Sequence, residues 1–259
     1  MANSILDTPV ESQMIVDDFV APKCDGFIEI LYQDDDILLI NKPSGLLSLS
    51  GKNPLNWDSV HYRIVHGQKG LTATFTEAKL PHRLDFGTSG IMIVGLNAIA
   101  SKHINKQFQA RTIQKRYVAM LEGCLAVDEG QITAPIAKDK LLFPRVKICQ
   151  STGKTALSEY KVLKRLRQPC RTLVQFTPIT GRTHQIRVHC LHAGHPIAAD
   201  NRYGDKEFDQ RTQKLGLKRL FLHAHSLAFI HPNTDERVTF KAPLEPSLVS
   251  VLKRLRSEI

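Results

Sequence analysis

The sequence lacks the marks of secreted, membrane and disulfide-stabilised proteins. Its longest apolar runs, such as Ile37–Ile40 and Ile91–Leu96, are far too short to cross a bilayer. Acidic residues interrupt the first twenty positions, so no secretory signal opens the chain. No CxxC pair occurs, and the five cysteines are dispersed: Cys24, Cys124, Cys149, Cys170 and Cys190. We therefore expect a cytoplasmic protein with reduced thiols.

Nucleotide-driven chemistry also lacks its usual motifs. Asp85-Phe86-Gly87 looks like the magnesium-binding triplet of a protein kinase, but the chain contains no GxGxxG loop. Gly153-Lys154-Thr155 looks like the end of a P-loop, yet the position that requires the first glycine is Ile148. Neither a kinase nor an ATP-driven enzyme is supported.

A zinc site is the third tempting interpretation, because histidines are abundant around one cysteine. The chain has no HExxH motif, and no carboxylate lies near this cluster in sequence. We predict polar or core histidines on an RNA-facing helix, without a metal. The cluster comprises His184, His189, His192, His195 and Cys190.

Positive charge is the clearest property of the composition. Thirty-five Lys and Arg face 25 Asp and Glu, which gives a formal net charge of +10. A surplus of this size favours a polyanionic partner such as nucleic acid, because phosphate contacts release counterions. A basic enzyme that binds no nucleic acid is the alternative.

The hydrophobic pattern predicts more strands than helices, with connections too irregular for repeated βαβ units. This favours an α+β fold, with flanking helices on a mixed, mostly antiparallel sheet. We expect an N-terminal extension over residues 1–26 and a single catalytic domain over residues 27–259. Strands are predicted near 27–32, 37–41, 91–95, 117–121, 156–163, 172–177, 221–230 and 238–241. Helices are predicted near 56–66, 97–110, 183–194 and 246–256.

The segment Gly181–His189 reads GRTHQIRVH and contains an arginine between two apolar residues, Ile186 and Val188. This pattern predicts that Arg187 enters a partly apolar cleft, where an arginine usually forms an ion pair with a carboxylate. Asp85 is the obvious candidate. Two such charges about 4 Å apart attract by roughly 4 kcal/mol at an effective dielectric constant of 20, before desolvation is counted.

These residues, with several others in the same order, resemble the RluA-type pseudouridine synthases. His82-Arg83-Leu84-Asp85 with Thr88-Ser89-Gly90 is similar to the family signature. The other matching segments are Asn41–Gly45, Gln114–Tyr117, Gly181–His189, Leu222–Ala224, His231-Pro232 and Phe240–Pro243. The resemblance covers roughly residues 27 to 245. It describes a compact form, because only about 26 residues precede the core and an S4-type RNA-binding module would need more.

The resemblance implies an isomerase that converts uridine to pseudouridine in RNA without metal or cofactor. The uracil leaves C1′ through N1, turns within the pocket and rejoins through C5. Asp85 matches the catalytic aspartate, and Tyr117 and Arg187 match the other two active-site residues. The chain itself does not choose between attack of Asp85 on the sugar carbon and abstraction of a sugar proton. Arg187 would keep Asp85 anionic, and Tyr117 would stack on the uracil or help remove the C5 proton.

The implied partner is RNA, as a stem-loop of large-subunit rRNA, tRNA or both. Arg83 matches the residue that fills the space left by the flipped base. Further candidates for RNA contact are His82, Lys115, Arg116, Arg182 and Gln185. We expect a monomer. A non-catalytic RNA-binding or RNA-folding protein on the same scaffold is the alternative function.

Overall fold

A computed structural model of the protein describes residues 19–68, 75–142, 144–167, 170–204 and 206–257. The strands are β1 Glu29–Gln33, β2 Ile37–Lys42, β3 Ser89–Gly95, β4 Gln114–Glu122, β5 Glu129–Thr133, β6 Ile136–Lys138, β7 Val146–Ile148, β8 Leu157–Arg167, β9 Cys170–Pro178, β10 Leu222–Ile230 and β11 Arg237–Lys241. The helices are α1 Val60–His66, α2 Ala98–Ala110, α3 Gln185–His192, α4 Lys206–Lys214 and α5 Pro246–Ser257, with a 3-10 turn at Pro54–Asn56. Within these residues, no helix has the length and apolar character needed to cross a membrane.

One large sheet organises the chain. Its strand order is β1-β2-β3-β10-β4-β9-β8-β5, and β11 pairs with β10 beside this path. All of these pairs are antiparallel except β3 with β10, which run parallel. β6 and β7 form a separate two-stranded hairpin. The prediction of a mixed, mostly antiparallel α+β fold is therefore confirmed.

Local sequence explains why the predicted elements form. The Asn97 side chain accepts a hydrogen bond from the Ala100 amide and so caps α2, while Ala100 and Ile104 are buried on its inner face. The predictions missed β5, β6, β7 and α4. β5 is short and polar, and β6 and β7 have three residues each, so these strands carry no clear apolar period. α4 has a low mean hydropathy, so its sequence does not stand out from a polar loop.

Two hydrophobic clusters lie side by side along the sheet. One gathers β2, β3, α1 and α2, and the other gathers β4, β9, α3 and α5. The ring of Tyr117 packs against both. The candidate site is therefore at the junction of two rigid cores, where β3, β10 and β4 are neighbours.

The prediction of reduced thiols was wrong for two cysteines, since Cys124 and Cys170 form a disulfide. Residues Glu122 and Arg171 are paired across β4 and β9, and this register brings the two cysteines, 46 residues apart in sequence, to a Cα separation of 5.4 Å. Sequence spacing gave no sign of this pairing. Cys24, Cys149 and Cys190 are free thiols.

The predicted N-terminal extension lies largely outside the described residues, which begin at Phe19. From Phe19 onward the chain contacts the core through Asn56. The side chain of Asn56 donates to the Phe19 carbonyl oxygen and accepts from the Ala21 amide, both at 2.7 Å.

Candidate active site

Three elements bring Asp85, Tyr117 and Arg187 to one cavity of about 520 Å³. Asp85 lies in the turn before β3, Tyr117 on β4 and Arg187 on α3. The cavity is large enough for a nucleoside, since small-molecule pockets typically measure about 300–1,000 Å³. The sequence-based prediction that these three side chains meet at one pocket agrees with this geometry.

A dense set of hydrogen bonds holds the turn that carries Asp85. The buried Lys42 ammonium donates to the carbonyl oxygens of Pro43, Leu46 and Phe86. Burial lowers the pKa of Lys42 to about 7, with Arg219 as the next cause. Ser44 donates through its hydroxyl to the Gly87 carbonyl oxygen at 2.8 Å. These bonds connect the backbone directly after Asp85, at Phe86 and Gly87, to the end of β2 and the turn that follows it, and so help to fix the direction of the carboxylate.

Gly90 sets how closely the Asp85 turn approaches β10. Its φ is +115°, and a Cβ atom placed there would lie 2.2 Å from the carbonyl oxygen of Ala224. Only glycine allows both this backbone conformation and the parallel pairing of β3 with β10 at that point. The glycine of the Thr88-Ser89-Gly90 segment is therefore explained by packing.

Arg187 contacts two carboxylates. Its Nε donates to Asp200 Oδ2 at 2.7 Å and its Nη2 to Asp200 Oδ1 at 2.8 Å, a bidentate pair. Its remaining nitrogen, Nη1, lies 3.4 Å from Asp85 Oδ2. Burial opposes the charge on Arg187, but the hydrogen bonds and charge of Asp200, together with Asp85, raise the pKa of the guanidinium above its ordinary value.

Tyr117 is partly buried in the cavity wall. Burial, and then the negative charge of Asp85, raise the pKa of its phenol above the ordinary value of about 10. The phenol is therefore neutral at physiological pH. A neutral ring can stack on a base and donate a hydrogen bond, whereas a phenolate base would be rare.

Five of the six predicted RNA-contact residues line the cavity together with Arg111: His82, Arg83, Lys115, Arg182 and Gln185. Arg83 is exposed and donates to the Thr183 hydroxyl at 3.2 Å. Arg182 donates to the Thr155 carbonyl oxygen at 3.1 Å. Arg116 does not line the cavity, because alternate residues of a strand point to opposite faces and Lys115 and Tyr117 occupy the inner one.

Two residues predicted to contact RNA, Gln185 and His82, already form hydrogen bonds within the protein. Gln185 is buried, and its amide group donates to Leu157 and Ser158 and accepts from Thr180 and the Arg182 amide. These four bonds occupy every donor and acceptor of the side-chain amide, so an RNA contact through Gln185 stays a prediction that would require one of these bonds to break.

His82 lines the cavity but is also engaged inside the fold. Its Nε2 accepts from the Ile93 amide at 3.0 Å, and its ring stacks on Phe108. Burial, and next the charge of Lys115, lower its pKa to about 3. His82 is therefore a neutral wall residue.

The histidine cluster is spread over different roles. Both ring nitrogens of the buried His189 are engaged, with the Ser158 hydroxyl and the Ala134 carbonyl oxygen, each at 3.0 Å. His195 contacts the Glu122 carbonyl oxygen at 2.8 Å. His184 alone of the four lines the cavity, with its Nε2 3.9 Å from Asp85 Oδ2.

Sequence analysis missed the residues that hold Arg187 in place. Asp200 is buried and also accepts from the backbone amides of Arg202 and Tyr203. The Tyr203 ring lies 5.0 Å from the Arg187 guanidinium carbon. A signal was available, because a buried guanidinium has five donors and one distant carboxylate could not satisfy them all.

Comparison with known proteins identifies the family. The RNA pseudouridylate synthase family matches residues 36–192, more than half of the chain. Ribosomal large subunit pseudouridine synthase C of Yersinia pestis is 41% identical over 228 residues, which cover 88% of this chain and 69% of that protein. The protein of the same name from Haemophilus ducreyi is 39% identical over 230 residues, with the same coverage.

Solved structures agree with this assignment. Human RNA Pseudouridylate Synthase Domain Containing 1 superposes with a TM-score of 0.67 at 27% identity, covering 91% of this chain and 97% of that one. Human RNA Pseudouridylate Synthase Domain Containing 4 gives the same TM-score at 26% identity, covering 88% and 93%. The chain therefore belongs to the RNA pseudouridylate synthase family and is an isomerase of uridine in RNA.

Proposed function

We propose that the protein isomerises uridine in large-subunit rRNA, with Asp85 as the catalytic carboxylate. The single observation that carries the proposal is the position of Asp85 in the cavity, 3.4 Å from the buried cation Arg187. The rRNA substrate is supported by the names of the relatives from Yersinia pestis and Haemophilus ducreyi. The tRNA substrate that the sequence also suggested has no such support.

The proposed reaction uses a flipped uridine. A base inside a stem or loop must leave its stack, which costs a few kcal/mol. Arg83, exposed at the cavity mouth, is suited to occupy the space that the base vacates. Basic residues beside it, Arg111, Lys115 and Arg182, give the cavity rim the positive charge that phosphates need.

The chemistry breaks the bond between C1′ and N1 and forms one between C1′ and C5. The C5 proton is lost and N1 gains a proton, so the isomerisation is balanced without a redox partner. Asp85 serves either by bonding to C1′ or by removing a sugar proton, and both routes need its ionised form. Arg187 supplies the neighbouring positive charge, and Tyr117 offers its ring to the turning uracil.

We propose residues 27–259 as the catalytic unit, acting as a monomer in the cytoplasm. The support for a monomer is that residues of one chain line the cavity on several sides. An RNA-folding protein without activity would not require an acid beside a buried arginine. This arrangement therefore favours catalysis over RNA binding alone.

The test is pseudouridine formation in transcripts of large-subunit rRNA. Asp85→Asn should bind RNA but form no product, because the carboxylate is gone and the shape is kept. Asp235→Asn is the matched control, since Asp235 is exposed in the β10–β11 turn in a left-handed conformation that asparagine tolerates. Product at the wild-type rate from Asp85→Asn would overturn the assignment. Mapping rRNA from cells with and without the gene identifies the uridine.

A further inference from the structure

His184 is held in an unusual backbone conformation at the wall of the cavity. It precedes α3 with φ 51° and ψ 23°, in the left-handed region that non-glycine residues seldom occupy. Such residues cluster at functional sites, because the surrounding structure must hold them there. The helix does not use the side chain as its cap, since it makes no capping hydrogen bond. The conformation instead directs the imidazole toward Asp85.

Tyr203 fixes which nitrogen of His184 carries the hydrogen. The Val146 amide donates to the Tyr203 hydroxyl oxygen at 2.9 Å, and that hydroxyl lies 2.9 Å from His184 Nδ1. Tyr203 is only 4% exposed, so a hydroxyl hydrogen without an acceptor would be costly. The hydroxyl therefore donates to Nδ1, which places the imidazole hydrogen on Nε2.

The His184 imidazole is neutral in this arrangement. Burial lowers the pKa of His184 to about 4, and the charge of Asp85 only partly opposes this. Nε2 lies 3.9 Å from Asp85 Oδ2, beyond hydrogen-bond length, and makes no hydrogen bond within the described part of the chain. The cavity thus contains a fixed, neutral N–H donor beside the catalytic carboxylate.

We propose that His184 Nε2–H donates to the 2′-hydroxyl of the flipped uridine and so determines specificity for ribose over deoxyribose. This inference rests on the proposed role of Asp85. Whether Asp85 bonds to C1′ or removes a sugar proton, one of its oxygens must come to about 3–3.5 Å from C1′ or from the carbon that bears the 2′-hydroxyl. An oxygen about 2.8 Å from both His184 Nε2 and Asp85 Oδ2 can bridge them. The 2′-hydroxyl is suited to that place, because it both accepts and donates.

The test compares two RNAs that differ in one atom. A stem-loop with the mapped target uridine, and the same stem-loop with 2′-deoxyuridine at that position, are titrated against Asp85→Asn and against Asp85→Asn with His184→Asn. Asparagine tolerates the left-handed conformation but is too short to reach the sugar. We expect the deoxy substitution to weaken binding about 10-fold in the first protein and less than 2-fold in the second.

Tyr203→Phe in the Asp85→Asn background provides a second variant, because it removes the hydroxyl that directs the imidazole hydrogen and keeps the ring. The preference for ribose should fall in this protein also. A ratio of the two Kd values that is equal in all three proteins would overturn the inference. If His184→Asn or Tyr203→Phe lowered the affinity for both RNAs by the same factor, the substituted residue would have a merely structural role, and the inference would be overturned as well. Both results are measurements of RNA binding, not of product formation. The proposed function is tested separately, and it would fail if the wild-type protein formed no pseudouridine.

Discussion

Arg187 binds Asp200 more closely than it binds Asp85. The two bonds to Asp200 measure 2.7 and 2.8 Å, whereas the contact with Asp85 measures 3.4 Å. The side chain of Asp200 is 1% exposed and that of Asp85 is 23% exposed. Asp200 therefore fixes the guanidinium from behind, while Asp85 shares its charge and still faces the cavity.

This division predicts different effects on folding and on catalysis. Arg187→Met leaves Asp200 buried without its cation, which should lower the free energy of unfolding by about 3–5 kcal/mol and reduce turnover steeply. Adding Asp200→Asn removes the unpaired charge, so the double variant should recover most of the stability without recovering turnover. Urea unfolding and single-turnover assays measure the two quantities.

Asp128→Asn is a matched control for that pair of variants, because the Asp128 carboxylate is exposed and pairs with a partly buried arginine, Arg165. Its loss should change stability by less than about 1 kcal/mol. Full turnover in Arg187→Met would remove the ion pair from the mechanism. A double variant no more stable than the single one would show that Asp200 does more than balance the charge.

The raised pKa of Tyr117 predicts a flat pH profile on the alkaline side. If the phenolate were the base that removes the C5 proton, the single-turnover rate would rise about tenfold per pH unit between pH 7 and 9, because the pKa lies above this range. We expect no such rise in the wild-type protein. Tyr117→Phe should lower the rate without changing the profile's shape. A tenfold rise per unit that Tyr117→Phe abolishes would assign the phenolate as base.

Salt dependence should report the phosphate contacts at the cavity rim. Each phosphate contact contributes about 0.9 to the slope of log affinity against log salt on duplex nucleic acid and about 0.7 on single strands. Arg182→Gln should therefore weaken RNA binding and reduce that slope by about 1, because Arg182 is one of the rim residues proposed to contact phosphates. Lys161→Gln serves as control, because Lys161 on β8 pairs with Glu129 on β5 and does not line the cavity. Equal slopes in the wild type and Arg182→Gln would contradict a phosphate contact.

Gly90→Ala should destabilise the fold and disorder the Asp85 turn. The added Cβ would meet the Ala224 carbonyl oxygen in a conformation with positive φ, which should lower the free energy of unfolding by at least about 2 kcal/mol. Gly194→Ala has the same kind of backbone, with φ +78° and no atom within 4 Å, so it isolates the cost of conformation alone. Equal destabilisation in the two variants, measured by urea unfolding, would argue against the steric account.

Local pattern was sufficient where local physics decides the outcome. The capping side chain of Asn97 and the apolar spacing of Ala100 and Ile104 define α2 before any tertiary contact is known. The pattern failed for short polar strands such as β5, which are stabilised by pairing with a neighbour.

The sequence by itself was enough to predict that Asp85, Tyr117 and Arg187 share one cavity, because their residue types and order carry the family resemblance. Only the tertiary structure decided how the charges are shared. Asp200 is the closer partner of Arg187, and the side-chain amide of Gln185 is fully hydrogen-bonded within the protein. The physical reason is that hydrogen bonds are short-ranged and directional, so the partner of a buried group depends on distances that sequence separation does not contain.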